Sequence, residues 1–164
     1  MTTVAIAEDD PDIRALVTFK LELAGYTVLA AADGPSALAA ITRERPDVAI
    51  VDIRMPGLSG LDVCRELRAD PATATLPVIL LSAGALESDV RDGLMAGADD
   101  YMVKPFSRRD LVNRVEALLT GGRGIPLLNP SMLADVATRA AIGSHRSRSA
   151  TGADRRQPDI AATG

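Results

Sequence analysis

Apolar and polar positions follow two distinct rhythms along the first 120 residues. Short β-branched apolar runs at Val4–Ala7, Tyr26–Ala30, Val48–Val51, Val78–Leu81 and Tyr101–Val103 read as strands. Between them apolar residues recur at helical spacing. Pro11–Leu23 sets Ile13, Leu16, Val17 and Lys20-Leu21 on roughly one face, and Ser36–Ile41, Leu61–Leu67, Val90–Met95 and Leu111–Leu119 do the same. Pro11 and Pro35 sit where a first helical turn tolerates proline, and Gly25 and Gly97 follow predicted helix ends, where a left-handed residue is wanted. Five strand–helix units in strict alternation predict an α/β fold: a doubly wound, five-stranded parallel sheet with helices on both faces and right-handed crossovers.

Composition narrows the class. A chain of 164 residues with 47% apolar residues can build one domain with a proper core, but not two ordinary ones. No apolar run approaches a membrane span, and no basic residue precedes the first one, so neither a membrane segment nor a secretory leader is expected. A single cysteine, Cys64, excludes an internal disulfide and fits the cytoplasm; it is expected to pack as a small apolar residue. One cysteine and one histidine, His145, exclude a Cys/His zinc site, so any metal must take oxygen ligands. His145 is expected to have no role. The charge is uneven: residues 1–120 carry 12 basic against 19 acidic side chains, and residues 121–164 carry 6 arginines against 3 aspartates. The main body thus lacks the basic character of a nucleic-acid-binding domain. Lysine occurs only at Lys20 and Lys104, every other cation being arginine.

In doubly wound sheets, ligands bind beyond the carboxyl ends of the strands, where strand order reverses. The residues just past the predicted strands are therefore the ones to inspect. Glu8, Asp9 and Asp10 follow the first strand; Asp52 and Arg54-Met55-Pro56-Gly57 follow the third; Ser82 follows the fourth, and Lys104-Pro105 the fifth. Singly, each is an ordinary turn, cap or surface residue. Together they place acids, a hydroxyl and an amine on one sheet edge. Carboxylates ~4 Å apart repel by ~4 kcal/mol at an effective dielectric near 20, so gathering Glu8, Asp9 and Asp52 calls for a cation. Mg²⁺ suits a few carboxylates with water and phosphate. Lys104 can pair with Asp52 or with a phosphoryl oxygen, and Ser82 can hydrogen-bond one. Nucleophile, metal, ammonium and hydroxyl are what phosphoryl transfer to a carboxylate needs. Asp52-Ile53-Arg54 lacks a second acid two positions on, and no phosphate-binding glycine loop or Gly-x-Ser-x-Gly elbow occurs, which argues against phosphatase, nucleotide-binding and esterase chemistry.

Four blocks carry a family resemblance: Ala7-Glu8-Asp9-Asp10-Pro11-Asp12-Ile13, Val51-Asp52 through Gly60, Leu81-Ser82-Ala83, and Gly97-Ala98-Asp99-Asp100-Tyr101-Met102-Val103-Lys104-Pro105-Phe106. In order and spacing they resemble the CheY-like receiver domains of two-component response regulators over residues 4 to about 119. The resemblance implies a flavodoxin-like strand order 2-1-3-4-5, with Asp52 accepting a phosphoryl group from a histidine kinase or phosphotransfer protein. It also implies Mg²⁺ held by Asp9, Asp52 and the Arg54 carbonyl, with Glu8 acting through water. Lys104 would contact the phosphoryl group across a cis peptide to Pro105. Ser82 and Tyr101 would form a switch pair, the hydroxyl moving to the phosphate and the aromatic following it inward. Such a chain is no enzyme in the usual sense, since it catalyses only its own phosphorylation and dephosphorylation.

The block around Lys104 to Val115 most resembles receivers that drive winged-helix transcription factors, which dimerise through the fourth helix, fifth strand and fifth helix. Asp100 and Arg114 match one charge pair of that interface. Asp110 faces a position held by Val90, and Met95 and Glu116 stand where opposite charges are expected, so no more than a weak homodimer is implied. Domain boundaries are expected at 1–120 for the receiver and 121–164 for a flexible tail. Gly121-Gly122-Arg123-Gly124 opens that tail. Asn129-Pro130 and the spacing of Met132, Leu133, Val136, Ala137, Ala140 and Ala141 predict one short helix over about 130–142, and the stretch from Ser144 onward is expected to be disordered. No recognisable output domain is expected, so the chain should signal by protein contact to a downstream partner. The alternative is a transcription regulator whose DNA contact comes from the tail or a partner.

Overall fold

A computed structural model describes residues 1–84 and 86–121. Five strands, β1 (Thr3–Ala7), β2 (Thr27–Ala31), β3 (Val48–Asp52), β4 (Val78–Ser82) and β5 (Asp100–Val103), alternate with five helices. These are α1 (Pro11–Glu22), α2 (Gly34–Glu44), α3 (Gly60–Ala69), α4 (Glu87–Met95) and α5 (Arg108–Leu119). All strand pairs are parallel, in the order β2-β1-β3-β4-β5. The expected strand order and fold class are both present. The tail helix expected over about 130–142 lies outside the described residues.

The two-residue period of the strands divides the core into two layers. Ala5 and Ala7, Ala49 and Val51, and Val78 and Leu80 pack with Ala37, Ile41, Val63, Leu67 and Val90 from α2, α3 and α4. Val4 and Ile6, Val48 and Ile50, and Ile79 and Leu81 face the other way, onto Val17 and Leu21 of α1 and Leu111, Val115 and Leu118 of α5. Every residue of β3 and β4 is buried. Cys64 is fully buried in the first layer, as an apolar filler.

α1 starts at Pro11 as expected, while α2 to α5 start one to three residues earlier than the apolar periodicity suggests; at α2, α3 and α5 the first turn is marked by a polar cap rather than by buried side chains. Asp10 accepts from the backbone N–H of Asp12 and Ile13 to start α1, and Asp33 accepts from Ser36 to start α2. Ser59 and Asp62 form a reciprocal capping box at α3, and Ser107 caps α5. Gly25 and Gly97 take the left-handed backbone expected of them, with φ of 91° and 98°. Arg45 does the same at the end of α2, with φ of 49°; nothing in its residue type announces this.

One glycine matters for the site. The start of α3 lies against the end of β3, and a Cβ at Gly60 would collide with the carbonyl oxygen of Asp52 and stand 2.9 Å from the Ile53 Cα. These obstacles are backbone and cannot rotate away. We therefore expect Gly60→Ala to destabilise the domain by about 2 kcal/mol or more, measured by urea unfolding, since overpacking typically costs ~1–3 kcal/mol. A loss below ~0.5 kcal/mol would mean that the loop from β3 to α3 yields freely.

Candidate functional site

The site lies where strand order reverses, between β1 and β3, with β5 supplying a cation from across β4. Glu8 and Asp9 leave β1, Asp52 ends β3, and Lys104 follows β5. The Lys104 Nζ lies 2.7 Å from Glu8 Oε2 and 2.8 Å from Asp52 Oδ1, bridging two carboxylates that are 96 and 52 residues away in sequence. Glu8 is 1% exposed and Asp52 3%. One carboxylate oxygen from each of Glu8, Asp9 and Asp52 lies within 4.8 Å of the others, a spacing that could hold a metal ion. With all groups ionised, three carboxylates face one ammonium. A divalent cation would neutralise the remainder, and three hard oxygen donors suit one.

Burial is the largest influence on both buried acids, and it raises the pKa of Glu8 and of Asp52 above the ordinary carboxylate range. The Lys104 hydrogen bonds oppose that rise, while the Asp9 charge adds to it at Asp52. Burial works to lower the pKa of Lys104, but Asp52 and Glu8 together outweigh it and hold the ammonium charged above its usual range. The site is short of positive charge, and its lysine is firmly protonated.

Backbone contacts aim these side chains. The Asp10 N–H donates to Glu8 Oε1 at 3.2 Å. Arg14 reaches back from α1 to donate to the Glu8 carbonyl at 2.8 Å and the Asp9 carbonyl at 3.2 Å. Sequence reasoning missed Arg14; its only signal was an arginine one turn into a helix that follows an acidic turn. Arg54 stands two residues past the β3 end, and its backbone N–H supports the charged form of Asp52. The Lys104 N–H donates to the Ser82 carbonyl at 2.7 Å, extending the β4–β5 pairing past the strand ends, and the Lys104–Pro105 peptide is cis.

Ser82 and Tyr101 meet at a shared neighbour. Ser82 Oγ accepts from the Gly84 N–H at 3.1 Å, and Tyr101 Oη donates to the Gly84 carbonyl at 3.0 Å. Tyr101, expected to turn inward as Ser82 moves, already lies inside at 5% exposure, packed on the layer formed with α4. Asp100 and Arg114, read from the sequence as matching a charge pair of a dimer face, lie 2.6 Å apart within the one chain described. The Arg114 guanidinium thus reaches back from α5 to β5 of its own chain.

Residues 4–116 match the sequence profile of the response regulator receiver domain. The chain belongs to the response regulator receiver family. It is 42% identical over 122 residues to the sensory transduction protein RegX3 of Mycolicibacterium smegmatis, covering 74% of this chain and 52% of that protein. It is 47% identical over 118 residues to the transcriptional regulatory protein CseB of Streptomyces avermitilis, covering 72% and 49%. The receiver thus spans about half the length of these curated relatives. Among solved structures, the receiver domain of sensor histidine kinase PA1611 from Pseudomonas aeruginosa PAO1 superposes with a TM-score of 0.70 at 33% identity, covering 73% of this chain and 98% of that one. That structure holds a magnesium ion in its active-site cleft. Among the described residues, no helix of this receiver is long and apolar enough to cross a membrane.

If the acidic cluster binds a divalent cation, Mg²⁺ at a hundred times its Kd should stabilise the receiver by ~2.7 kcal/mol, a rise in Tm on the order of 10 °C. Asp9→Ala should abolish that rise. An equal rise in the variant, followed by scanning calorimetry, would place the ion elsewhere.

Proposed function

We propose that Asp52 is the phosphoacceptor of a two-component relay, charged by the phosphohistidine of a sensor kinase or phosphotransfer protein. The observation that carries this reading is the buried Asp52 carboxylate held 2.8 Å from the Lys104 ammonium, with Glu8 and Asp9 beside it. An Asp52 oxygen forms a bond to phosphorus as the phosphorus–nitrogen bond to the donor imidazole breaks; the imidazole leaves and takes up a proton from solvent. Mg²⁺ fits the donor set of Asp9, Asp52, the Arg54 carbonyl and, through water, Glu8, and it would supply charge neutralisation for the phosphoryl oxygens. Lys104 adds a fixed ammonium beside the same oxygens, and Ser82 offers a hydroxyl. The chain is thus the recipient of transfer, catalysing only its own phosphorylation and the later hydrolysis of its acyl phosphate.

The output follows from the same residues. A phosphoryl group on Asp52 draws the Ser82 hydroxyl away from the Gly84 N–H. Gly84 also accepts the Tyr101 hydrogen bond, so the loop from β4 to α4 feels the change. The surface of α4, β5 and α5 is the face a downstream partner or a weakly associating second copy would read. The resemblance to CseB favours a second reading, in which the chain regulates transcription. DNA contact would then come from residues beyond the receiver or from a partner, and a promoter mobility-shift assay separates the two.

Phosphoramidate with Mg²⁺ should add one phosphoryl mass to the wild-type chain and none to Asp52→Asn, by intact mass spectrometry; retention of the added mass in the variant would move the nucleophile elsewhere. Beryllofluoride, which mimics the phosphoryl group, should shift amide resonances across α4, β5 and α5 in the wild type. In Ser82→Ala those shifts should stay near the pocket. A distal response that survives in Ser82→Ala would remove the serine from the switch.

A further inference from the structure

Both lysines of this arginine-rich chain lie at the same end of the molecule, two residues of loop apart in their contacts. Lys20 extends from α1 to donate through Nζ to the Phe106 carbonyl at 3.1 Å, and its ammonium stands 5.3 Å from the centre of the Phe106 ring. Phe106 is joined through Pro105 to Lys104. We propose that Lys20 is a positioning residue: it latches the loop from β5 to α5 and so fixes where the Lys104 ammonium stands relative to Asp52.

The loop needs such a latch for a physical reason. On its sheet side, the Lys104 N–H is pinned to the Ser82 carbonyl at 2.7 Å. On its helix side, Ser107 caps α5. Between these anchors Pro105 has no N–H to donate. Beneath them lies a cavity of about 340 Å³, lined by Leu16, Val17 and Lys20 of α1, by Ala83, and by Lys104 to Phe106. Phe106 packs at the edge of the core layer built on α1 and α5, but the open space beside it leaves the loop only partly supported by packing. Lys20 spans the gap with one charged hydrogen bond and a cation–π contact, two interactions that a lysine stem can make from a half-exposed helix face. The side chain touches neither Asp52 nor the acidic cluster, and it acts only through the loop.

The inference rests on the phosphoacceptor reading for its effect on rate, but not for its structural content. Lysine-selective labelling gives side-chain NMR signals from Lys20 and Lys104 alone, and Lys20→Met leaves only Lys104. Methionine keeps the apolar stem and the helix propensity while removing the donor and the charge. In the full chain, the Lys104 signal should shift and broaden in Lys20→Met and return toward its wild-type position in Lys20→Arg, which can remake both contacts. An unmoved Lys104 signal in Lys20→Met overturns the inference, whatever the protein's function. With phosphoramidate, where a phosphorus–oxygen bond to Asp52 forms and ammonia leaves, the saturating rate in Lys20→Met should fall about tenfold. That is less than the ~100-fold that a 1 Å misplacement can cost. The half-saturating donor and Mg²⁺ concentrations should stay within about twofold of wild type, and Lys20→Arg should recover most of the rate. A wild-type rate in Lys20→Met, or a parallel loss of Mg²⁺ affinity and thermal stability, overturns positioning as the cause. A wild-type chain that takes up no phosphoryl group at all, while the Lys104 signal still moves, overturns the phosphoacceptor reading and leaves the latch standing.

Discussion

The Lys104 ammonium, shared between Glu8 and Asp52, is the contact on which this end of the molecule depends. Without it, the two buried carboxylates would face each other and the exposed Asp9 in a medium that solvates the buried pair poorly. Removing one partner of a buried ionic cluster commonly costs ~3–5 kcal/mol, because the charges left behind stay desolvated. With it, the cluster is held together yet still short of positive charge, a balance that favours a divalent cation and, after it, a dianionic phosphoryl group. A fully neutralised cluster would be more stable and would bind neither.

That contact is made possible by the parallel sheet. Glu8, Asp52 and Lys104 leave three different strands at the same edge, and the order β2-β1-β3-β4-β5 sets β1 beside β3 and places β5 one strand beyond. The loops then refine what the strands deliver. Arg14 gathers the Glu8 and Asp9 carbonyls, Gly60 lets α3 begin against the back of Asp52, and Lys20 holds the loop that follows Lys104. Each of these acts through the backbone that carries the cluster rather than on a carboxylate of the cluster itself.

On the distal face Asp100 and Arg114 close on one another within the chain, and Met95 on α4 stands 82% exposed. Ser82 and Tyr101 converge on the two backbone polar groups of Gly84, so one residue stands between the pocket and that face.

Much of this was written in the chain. The short continuous apolar runs around Ile6, Ile50 and Leu80 and the helical stripes between them determined a doubly wound parallel sheet, because burial on two faces admits few other arrangements of alternating strands and helices. The placement of acids, serine and lysine just past successive strands determined the site, because such sheets gather their strand ends on one edge. Arg14 and Lys20 were invisible as functional residues, since each acts on a carbonyl, and any residue type offers a carbonyl. The inward Tyr101 and the internal Asp100–Arg114 pair were likewise decided only by tertiary structure. Residue type specifies which partner a side chain accepts, but only the packed geometry of β5, α4 and α5 specifies which partner comes within reach.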